Sequence, residues 1–391
     1  MNRIFALAVA AHAVFAGSCA GVPTNRAGVS AERAIESVLA EHLAGTAVTG
    51  ATAALVLADG SRFQGVWGVL AEDAGEPMPV DARMLAGSTG KTLFGVALLQ
   101  LAEVGTLTLD DPLVDHLGDL PWFDEIPNAD AITLRHLANH TSGLRDHVWF
   151  DSFQRAIRDD PARTWGHEEL ARQIAGSEPL FKPGDGWAYS DSNHVLLGLV
   201  LERASGRDAY ELIREQVIQP LGLTGTSPSD RAELPGLVGG TTSLGDPFGI
   251  GPITAAGGVY AMNPQWEWAG GGYVSTSADL AMLFHAIWTS DLLDESSREA
   301  LLDYTPATLA PGSGYSVGMI RLPTPAGEGH GHLGIMPGYL TYAMHFPERG
   351  VSVALQINAD GPGARARQLV AAHALTLEAI DRASALEPRG P

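Results

Sequence analysis

Strand patterns lie at the two ends of this 391-residue chain, and helical patterns fill the middle. Residues 51–59 and 61–69 form two candidate strands joined by the turn Asp59-Gly60. Further strands are predicted at 315–322, 338–346 and 351–358. Strands this far apart in the sequence must meet in one sheet if they are to bury their apolar faces together. We therefore predict an α/β fold with one sheet, a large helical insertion, and a cleft between these two parts.

Helices are predicted where apolar residues recur with a helical period. The segment 91–104 shows this period and ends before Gly105, a residue that commonly follows a helix. Segments 31–43 and 365–383 are expected to flank the sheet as terminal helices. The remaining helices are predicted at 193–204, 208–217, 278–288 and 296–302.

Composition excludes several classes of protein. The net charge is −21, and nucleic-acid binding is not expected because it requires a basic face. The single cysteine excludes an intramolecular disulfide framework and a cysteine-rich metal site. Hydrophobic residues make up 45% of the chain, which excludes global disorder. Only two of the 24 basic residues are lysines, Lys91 and Lys182, so each lysine is worth examining.

The first 20 residues are predicted to be a signal peptide. Met1–Arg3 is positively charged, Ile4–Gly17 is largely apolar, and small residues follow. Cys19 lies where a lipoprotein signal would place its lipidated cysteine, but ordinary cleavage after Ala20 fits nearly as well. We expect an exported protein, either periplasmic or anchored to the outer membrane as a lipoprotein, or alternatively secreted. No later segment is apolar for long enough to span a bilayer.

The first candidate site is Ser88-Thr89-Gly90-Lys91, which opens a predicted helix. A serine at this position is near the positive end of the helix dipole, and Lys91 follows one turn later on the same face. A neutral lysine amine can accept the serine proton and so activate this weak nucleophile. By itself the motif is weak, and the alternative is a helix start with a solvated lysine.

Two further candidates follow along the chain. In Tyr189-Ser190-Asp191, the tyrosine lies in a loop before a helix and can carry a proton if cations lower its pKa. The alternative is a packed tyrosine beside a helix cap. In His332-Leu333-Gly334, an imidazole and bare backbone on a predicted strand can bind substrate, and the N–H after the glycine can stabilise an oxyanion. Alone, His-x-Gly has almost no specificity.

Together, the order and spacing of the three motifs resemble the serine β-lactamase and penicillin-recognising superfamily. The members most similar in pattern are class C β-lactamases, D-alanyl-D-alanine carboxypeptidases of the His-x-Gly type, D-aminopeptidases and related esterases. The resemblance covers roughly residues 30–375 in sequential blocks. The additional blocks are 100–113, 132–144, 183–193, 220–223, 271–280 and 337–339.

The resemblance implies a fold and a set of roles. The fold would be β-lactamase/transpeptidase-like, with an antiparallel sheet. Ser88 would be the acylated nucleophile, and Lys91 and Tyr189 would share proton transfer, with Lys91 helping to hold Tyr189 as an anion. The backbone N–H groups of Ser88 and Ile335 would form the oxyanion hole. His332 would stand over the cleft beside Gly334, positioning substrate and feeding the proton network.

Residues 21–391 would then form one serine-hydrolase domain. Its sheet part would take in about 29–104 and 276–385, and its helical part about 105–275.

Two departures from the family pattern affect the expected substrate. Asp191 stands where many relatives have Asn, so it offers no amide donor, and as an anion it would oppose a neutral Lys91. His332 replaces the lysine of class C β-lactamases, which would make the site sensitive to pH around the histidine pKa. Efficient β-lactam hydrolysis is therefore not expected, whereas acyl transfer from small amides, peptides or esters is.

Three functions remain open from the sequence. The leading hypothesis is a peptidase or amidase acting on small peptides or D-amino-acid-containing substrates. The alternatives are a carboxylesterase of this fold and a non-catalytic cell-envelope binding protein. No cofactor is predicted, the partner is a small-molecule, peptide or ester substrate, and the oligomeric state is open.

Other motifs were weighed as well. No metal site is expected, because the pairs His136/His140 and His330/His332 lack an accompanying carboxylate cluster. Trp266 and Trp268 are expected either to line the cleft or to pack in the core.

Overall fold

The computed structural model describes residues 30–71, 73–243 and 247–386. The predicted signal peptide and Cys19 therefore lie outside the described residues. Within these ranges, no helix combines the length and apolar character needed to cross a membrane.

The central element is an eight-stranded antiparallel sheet with the strand order β2-β1-β13-β12-β11-β10-β9-β8. Strand β1, the first along the chain, pairs with β13, the last along the chain, with Ala51 opposite Ile357. The two ends of the chain therefore meet in one sheet, as predicted. The predicted antiparallel sheet is confirmed. The strands are β1 Gly50–Val56, β2 Arg62–Gly68, β3 Met84–Leu85, β4 Ser227–Pro228, β5 Ala255–Ala256, β6 Val259–Tyr260, β7 Tyr273–Ser275, β8 Thr305–Pro306, β9 Gly314–Tyr315, β10 Ile320–Thr324, β11 Gly327–Met336, β12 Tyr339–Phe346 and β13 Val351–Ile357.

Helices are distributed at both ends and through the middle of the chain. They are α1 Ala31–Leu43, α2 Lys91–Glu103, α3 Leu113–Leu117, α4 Leu134–Ala138, α5 Asp151–Asp159, α6 His167–Ala171, α7 Asp191–Ser205, α8 Ala209–Ile213, α9 Gln219–Leu221, α10 Ser277–Thr289, α11 Glu295–Leu302 and α12 Pro362–Leu386. Short 3-10 turns include Gly87–Gly90 and Pro264–Gly270.

The sheet is covered by helices on both faces. The terminal helices α1 and α12 pack against each other and against one face, while α10 packs on the other. Every residue of β1, β12 and β13 is consequently buried. In α1, the buried residues Ile35 and Leu39 lie one turn apart, and the Ser30 hydroxyl accepts a hydrogen bond from the Arg33 N–H at 3.4 Å.

The helical region lies between the two parts of the sheet sequence and contains α3–α9 with the short strands β4–β7. Helix α2, which precedes this region in sequence, packs against α7 within it. The division of the domain into a sheet part and a helical part, with boundaries near residues 105 and 275, stays a prediction.

Two predicted elements differ in the structure. The single strand predicted at 315–322 is two strands, β9 and β10, because Gly318 has φ +63° and turns the chain. A Cβ at Gly318 would lie 2.7 Å from the Lys91 carbonyl oxygen, so this turn packs closely on the start of α2. The helix predicted at 208–217 is α8 followed by a π-helical turn, Arg214–Ile218.

Candidate active site

The nucleophile turn packs against the edge of strand β11. Strand β10 pairs with β11 only as far as Gly331, so the later residues of β11 leave one edge open. Glycines permit the turn to approach this edge: a Cβ on Gly334 would lie 1.9 Å from the Ala86 carbonyl oxygen, and one on Gly87 would lie 2.7 Å from the Ile335 nitrogen. The structure thus brings the backbone of the Ser88 turn against Ile335, and both residues line the same cleft.

Lys91 is fully buried beneath the nucleophile. Its Nζ donates to the Ser88 Oγ at 3.2 Å and lies 2.5 Å from the Asp191 Oδ1. It also donates to the Gly270 carbonyl. The short Ser88–Lys91 separation meets the geometric requirement for serine deprotonation by lysine. Asp191 lies beside Lys91, where its position in the sequence motif had placed it.

A strained residue presents the Gly270 carbonyl to this lysine. Trp268 has φ +35° and ψ −115°, values rarely adopted by residues other than glycine. Its fully buried indole stacks on His167 with 3.8 Å between ring centroids, so packing holds the unfavourable backbone conformation. Trp268 is therefore a core residue beneath the site, whereas Trp266 lines the cleft.

Tyr189 lies beside the nucleophile, with Lys91 Nζ 5.0 Å from its ring centroid and Ser88 within hydrogen-bonding reach. Burial raises the pKa of Tyr189 well above its usual value, and the Asp191 carboxylate raises it further. This raised pKa favours the neutral phenol in the resting protein, and the role of Lys91 in holding Tyr189 as an anion during turnover stays a prediction. Tyr189 can still relay a proton by accepting one while donating another.

His332 does not stand over the cleft, so this expectation is wrong. The residue is fully buried, and its Nδ1 lies 2.7 Å from the Leu333 carbonyl oxygen. Because a carbonyl only accepts, Nδ1 carries the proton, and Nε2 accepts from the Tyr315 hydroxyl at 2.9 Å. Burial lowers the pKa of His332 to about 3, so this imidazole does not support the expected sensitivity to pH around an ordinary histidine pKa.

The link between His332 and the catalytic groups runs through aromatic rings. The centroid of the Tyr189 ring lies 5.9 Å from that of Tyr315 and 4.3 Å from that of His140. His140 has φ +63°, and its Nδ1 accepts hydrogen bonds from the Ser190 N–H and the Asn193 amide. This buried cluster fixes the position of the Tyr189 ring, and Tyr315 lies between His332 and Tyr189 as a contact of both.

Two carboxyl groups in the cleft were missed from the sequence. Asp146 and Glu267 line the cleft that contains Ser88, and Glu267 is only 5% exposed with no hydrogen-bond partner for its Oε2. Burial raises the pKa of each to about 8. Asp191 raises both values further and Lys91 lowers them, which places both groups within electrostatic reach of the catalytic pair.

A sequence signal for these two residues exists but is weak. Asp146 follows the motif block 132–144 by two residues, and Glu267 lies between two tryptophans. An acidic residue in such apolar surroundings is a candidate for a perturbed pKa. The sequence does not show that two loops so far apart along the chain face one cleft.

We predict that Glu267→Gln becomes relatively more stable as the pH rises. The carboxyl pKa is raised from 4.5 to about 8 in the folded protein, so the folded state binds the proton more tightly and loses stability as pH rises through this window. Glutamine does not titrate. Between pH 5.5 and pH 9, the free energy of unfolding of the variant should gain on the order of 3 kcal/mol relative to wild type.

Urea unfolding of both proteins at the two pH values measures this change. If the difference in the free energy of unfolding between the two proteins is the same at both pH values, the pKa of Glu267 is not raised in the folded state. Glu328→Gln, a change at a half-exposed carboxylate, is the matched control and should show no such pH dependence.

The described residues contain one group with the spacing of metal ligands: His167, Glu202 and Asp208. His167 Nδ1 lies 3.0 Å from a Glu202 oxygen, and both carboxylates accept backbone N–H groups at the start of α8. These contacts account for the cluster structurally. Neither His136/His140 nor His330/His332 belongs to such a group.

The antiparallel sheet, the helical region and the Ser88–Lys91 pair in the cleft between them are the fold and nucleophile arrangement of β-lactamase-fold serine hydrolases. The family model named Beta-lactamase matches residues 35–378. The chain therefore belongs to the Beta-lactamase family.

Curated relatives include penicillin-binding protein 4* of Bacillus subtilis (strain 168), 26% identical over 69% of this chain, and esterase EstB of Burkholderia gladioli, 29% identical over 48%. The matches span 59% and 49% of the lengths of those two proteins.

Among solved structures, a D-stereospecific amidohydrolase from Streptomyces sp. is similar, with a TM-score of 0.75, 28% identity, and coverage of 87% of this chain and 98% of that one. The D-amino acid amidase of Ochrobactrum anthropi SV3 complexed with D-phenylalanine has a TM-score of 0.75 at 23% identity, covering 91% of this chain and 99% of that one. At 23% identity, the similarity to this amidase supports the fold of the chain and no further property.

Proposed function

We propose that this protein is a serine hydrolase that cleaves amides and short peptides carrying a free amino group next to the scissile carbonyl. The observation that carries this proposal is the pair of carboxyl groups, Asp146 and Glu267, in the cleft that contains Ser88. Both have a pKa raised to about 8, and the Oε2 of Glu267 has no hydrogen-bond partner. A substrate ammonium group would supply the missing donor and the missing positive charge.

The rest of the cleft favours an apolar group beside that ammonium. Its walls are formed by several apolar side chains, and the rings of Phe248 and Trp266 stack with centroids 5.2 Å apart. The apolar lining residues are Val148, Trp149, Pro247, Phe248, Trp266, Met336 and Pro337. Apolar walls with a few convergent polar groups are typical of small-molecule sites. A hydrophobic amino-acid side chain fits this lining.

The same charges disfavour β-lactams. These compounds carry a carboxylate. In the cleft that carboxylate would lie near three acidic side chains, Asp146, Asp191 and Glu267, which disfavour a further negative charge. The Nζ of Lys91 is close by, but it is buried and already contacts Asp191. The cleft offers a substrate carboxylate no free positive partner among the described residues that line it.

The reaction follows from the geometry around Ser88. As the Ser88 Oγ bonds to the substrate carbonyl carbon, its proton passes to the neutral amine form of Lys91, directly or through Tyr189. The backbone N–H groups of Ser88 and Ile335 are proposed to stabilise the oxyanion. Collapse of the tetrahedral intermediate breaks the C–N bond, and the leaving amine takes the proton. Water then attacks the acyl-serine, transfers a proton to the same groups and releases the acid and free Ser88.

We further propose a preference for D-residues. This finer step is supported by the similarity to the D-stereospecific amidohydrolase from Streptomyces sp..

A matched substrate series tests the function. D-phenylalanine p-nitroanilide should be hydrolysed with kcat/KM at least about 100-fold above that of its N-acetyl derivative, because the acetyl group removes the positive charge. The L-enantiomer tests the stereochemical step separately. Ser88→Ala should abolish turnover and labelling by a fluorophosphonate probe. Absence of labelling in the wild type would instead support a non-catalytic binding protein.

A carboxylesterase is the second candidate, favoured by the similarity to esterase EstB. It uses the same nucleophile but has no need of the two cleft carboxyls. Faster hydrolysis of p-nitrophenyl butyrate than of every free-amine amide would select the esterase over the amidase.

The KM for the free-amine substrate is predicted to fall as pH rises from 6 to 8. Asp146 and Glu267 have pKa values raised to about 8, so they are largely protonated at pH 6 and must lose a proton to pair with the ammonium. Above pH 8 the substrate amine, with a pKa of about 8, loses its own proton and KM should rise again. KM for p-nitrophenyl butyrate serves as the control and should stay flat. A flat profile for both substrates would contradict ammonium recognition.

We also propose that the protein is exported through its predicted signal peptide, with Cys19 as the candidate lipidation site. Metabolic labelling with an alkyne fatty acid distinguishes the alternatives. Labelled wild type and unlabelled Cys19→Ala would support a lipoprotein, whereas an unlabelled product beginning after Ala20 would support ordinary cleavage.

A further inference from the structure

A second cavity lies behind the sheet, away from the nucleophile. It is bounded by the β10–β12 part of the sheet and by α12, and encloses about 840 Å³ including its mouth. Its walls are mainly aliphatic, with Leu309, Ile320, Leu322, Leu333 and Leu369 among them. The cavity shares one lining residue, Ile335, with the cleft that contains Ser88.

One strongly basic group lines this apolar cavity. Arg365, in the first turn of α12, is only 6% exposed. It donates to the Gln368 Oε1 at 2.9 Å and to the Gly334 carbonyl oxygen at 3.4 Å. Both acceptors are neutral, and across the described ranges no carboxylate lies within ion-pair distance of it. In a chain with a net charge of −21, a buried guanidinium without an acidic partner is unusual.

The guanidinium keeps its charge despite its surroundings. Burial lowers the pKa of Arg365 to about 10, so the group is protonated at neutral pH. Farther along the same face of α12, His373 and Thr376 also line the cavity. The cavity thus combines a fixed positive charge with a long aliphatic wall.

We propose that this cavity binds a linear aliphatic monocarboxylate, with its carboxylate paired to Arg365 and its chain along the wall formed by Leu322, Leu333 and Leu369. A carboxylate matches the planar fork of a guanidinium and would supply the missing negative charge. The aliphatic wall would bury the alkyl chain of this ligand. An inorganic anion such as phosphate has no alkyl chain to bury there. This site is separate from the cleft and does not depend on the proposed hydrolase function.

Isothermal titration with octanoate tests the proposal, and octanol serves as the matched ligand without charge. Octanoate should bind wild type at least about 10-fold more tightly than octanol. Arg365→Gln should weaken octanoate binding at least about 10-fold. Arg382→Gln, on the same helix but paired with Glu378, should leave it unchanged. Equal binding of the two ligands, or unchanged binding in Arg365→Gln, would overturn the proposal.

Two further measurements keep the test decisive. Wild type whose Ser88 has been blocked by a fluorophosphonate should retain octanoate binding, and loss of binding would place the acid in the cleft instead. If Arg365→Gln does not fold, Ala310→Phe replaces it, because Ala310 lines the cavity and a larger side chain there would fill it. This variant should also lose at least about 10-fold in affinity, and wild-type affinity would count against the site.

Discussion

Lys91→Arg is expected to reduce the rate of Ser88 acylation by at least about 1,000-fold, which corresponds to about 4 kcal/mol of transition-state stabilisation. Arginine retains the positive charge but does not release its proton in a protein, so it cannot accept the proton of Ser88. The buried Lys91 also lacks room for a planar guanidinium between Ser88 and Asp191, to which its Nζ lies at 3.2 Å and 2.5 Å. Burst kinetics with a chromogenic substrate measure the acylation rate directly.

The chain provides a matched control for this change, because Lys182 is the only other lysine and is exposed. Lys182→Arg makes the same chemical substitution away from the nucleophile and should leave acylation unchanged. Circular dichroism of both variants checks that they are folded. If Lys91→Arg retains a near-normal burst, a group other than Lys91 accepts the Ser88 proton.

The double variant Asp146→Asn, Glu267→Gln is expected to remove the preference for free-amine substrates. In wild type, ionised carboxyl groups in a partly desolvated cleft would attract the substrate ammonium strongly. The variant keeps the shapes of both side chains and removes their charges. We expect kcat/KM for D-phenylalanine p-nitroanilide to fall about 100-fold, while kcat/KM for p-nitrophenyl butyrate changes less than about 3-fold.

Asp303→Asn is the control for this double change, since Asp303 lies at the surface with 73% of its side chain exposed. It should affect neither substrate. A parallel fall for the amide and the ester in the double variant would mean that the two carboxyls support the catalytic groups generally and do not select the amine.

The fold was largely accessible from the sequence where patterns are local. The limits of α1 at Ala31–Leu43 agree with the prediction, because its apolar period and its Ser30 cap both depend on residues close together in the sequence. The single strand predicted at 315–322 was wrong because its apolar residues continue through a turn. Only the packing of Gly318 against the start of α2 shows where the chain reverses.

The candidate site divides in the same way. Ser88 and Lys91 are three residues apart at the start of a helix, so their contact follows from local geometry. The burial of His332 and its hydrogen bond to Tyr315 depend on tertiary packing, whereas the sequence motif had placed the imidazole over the cleft.

By itself, the sequence determined the terminal strands and helices, the family resemblance and the Ser88–Lys91 pair, because each depends on residues close together or on motifs in fixed order. The tertiary structure alone decided which groups share an environment. It raised the pKa of Tyr189, buried His332 and brought Asp146 and Glu267 into one cleft. The physical reason is that desolvation and Coulomb energies depend on distance and burial in space, and neither quantity can be obtained from positions along the chain.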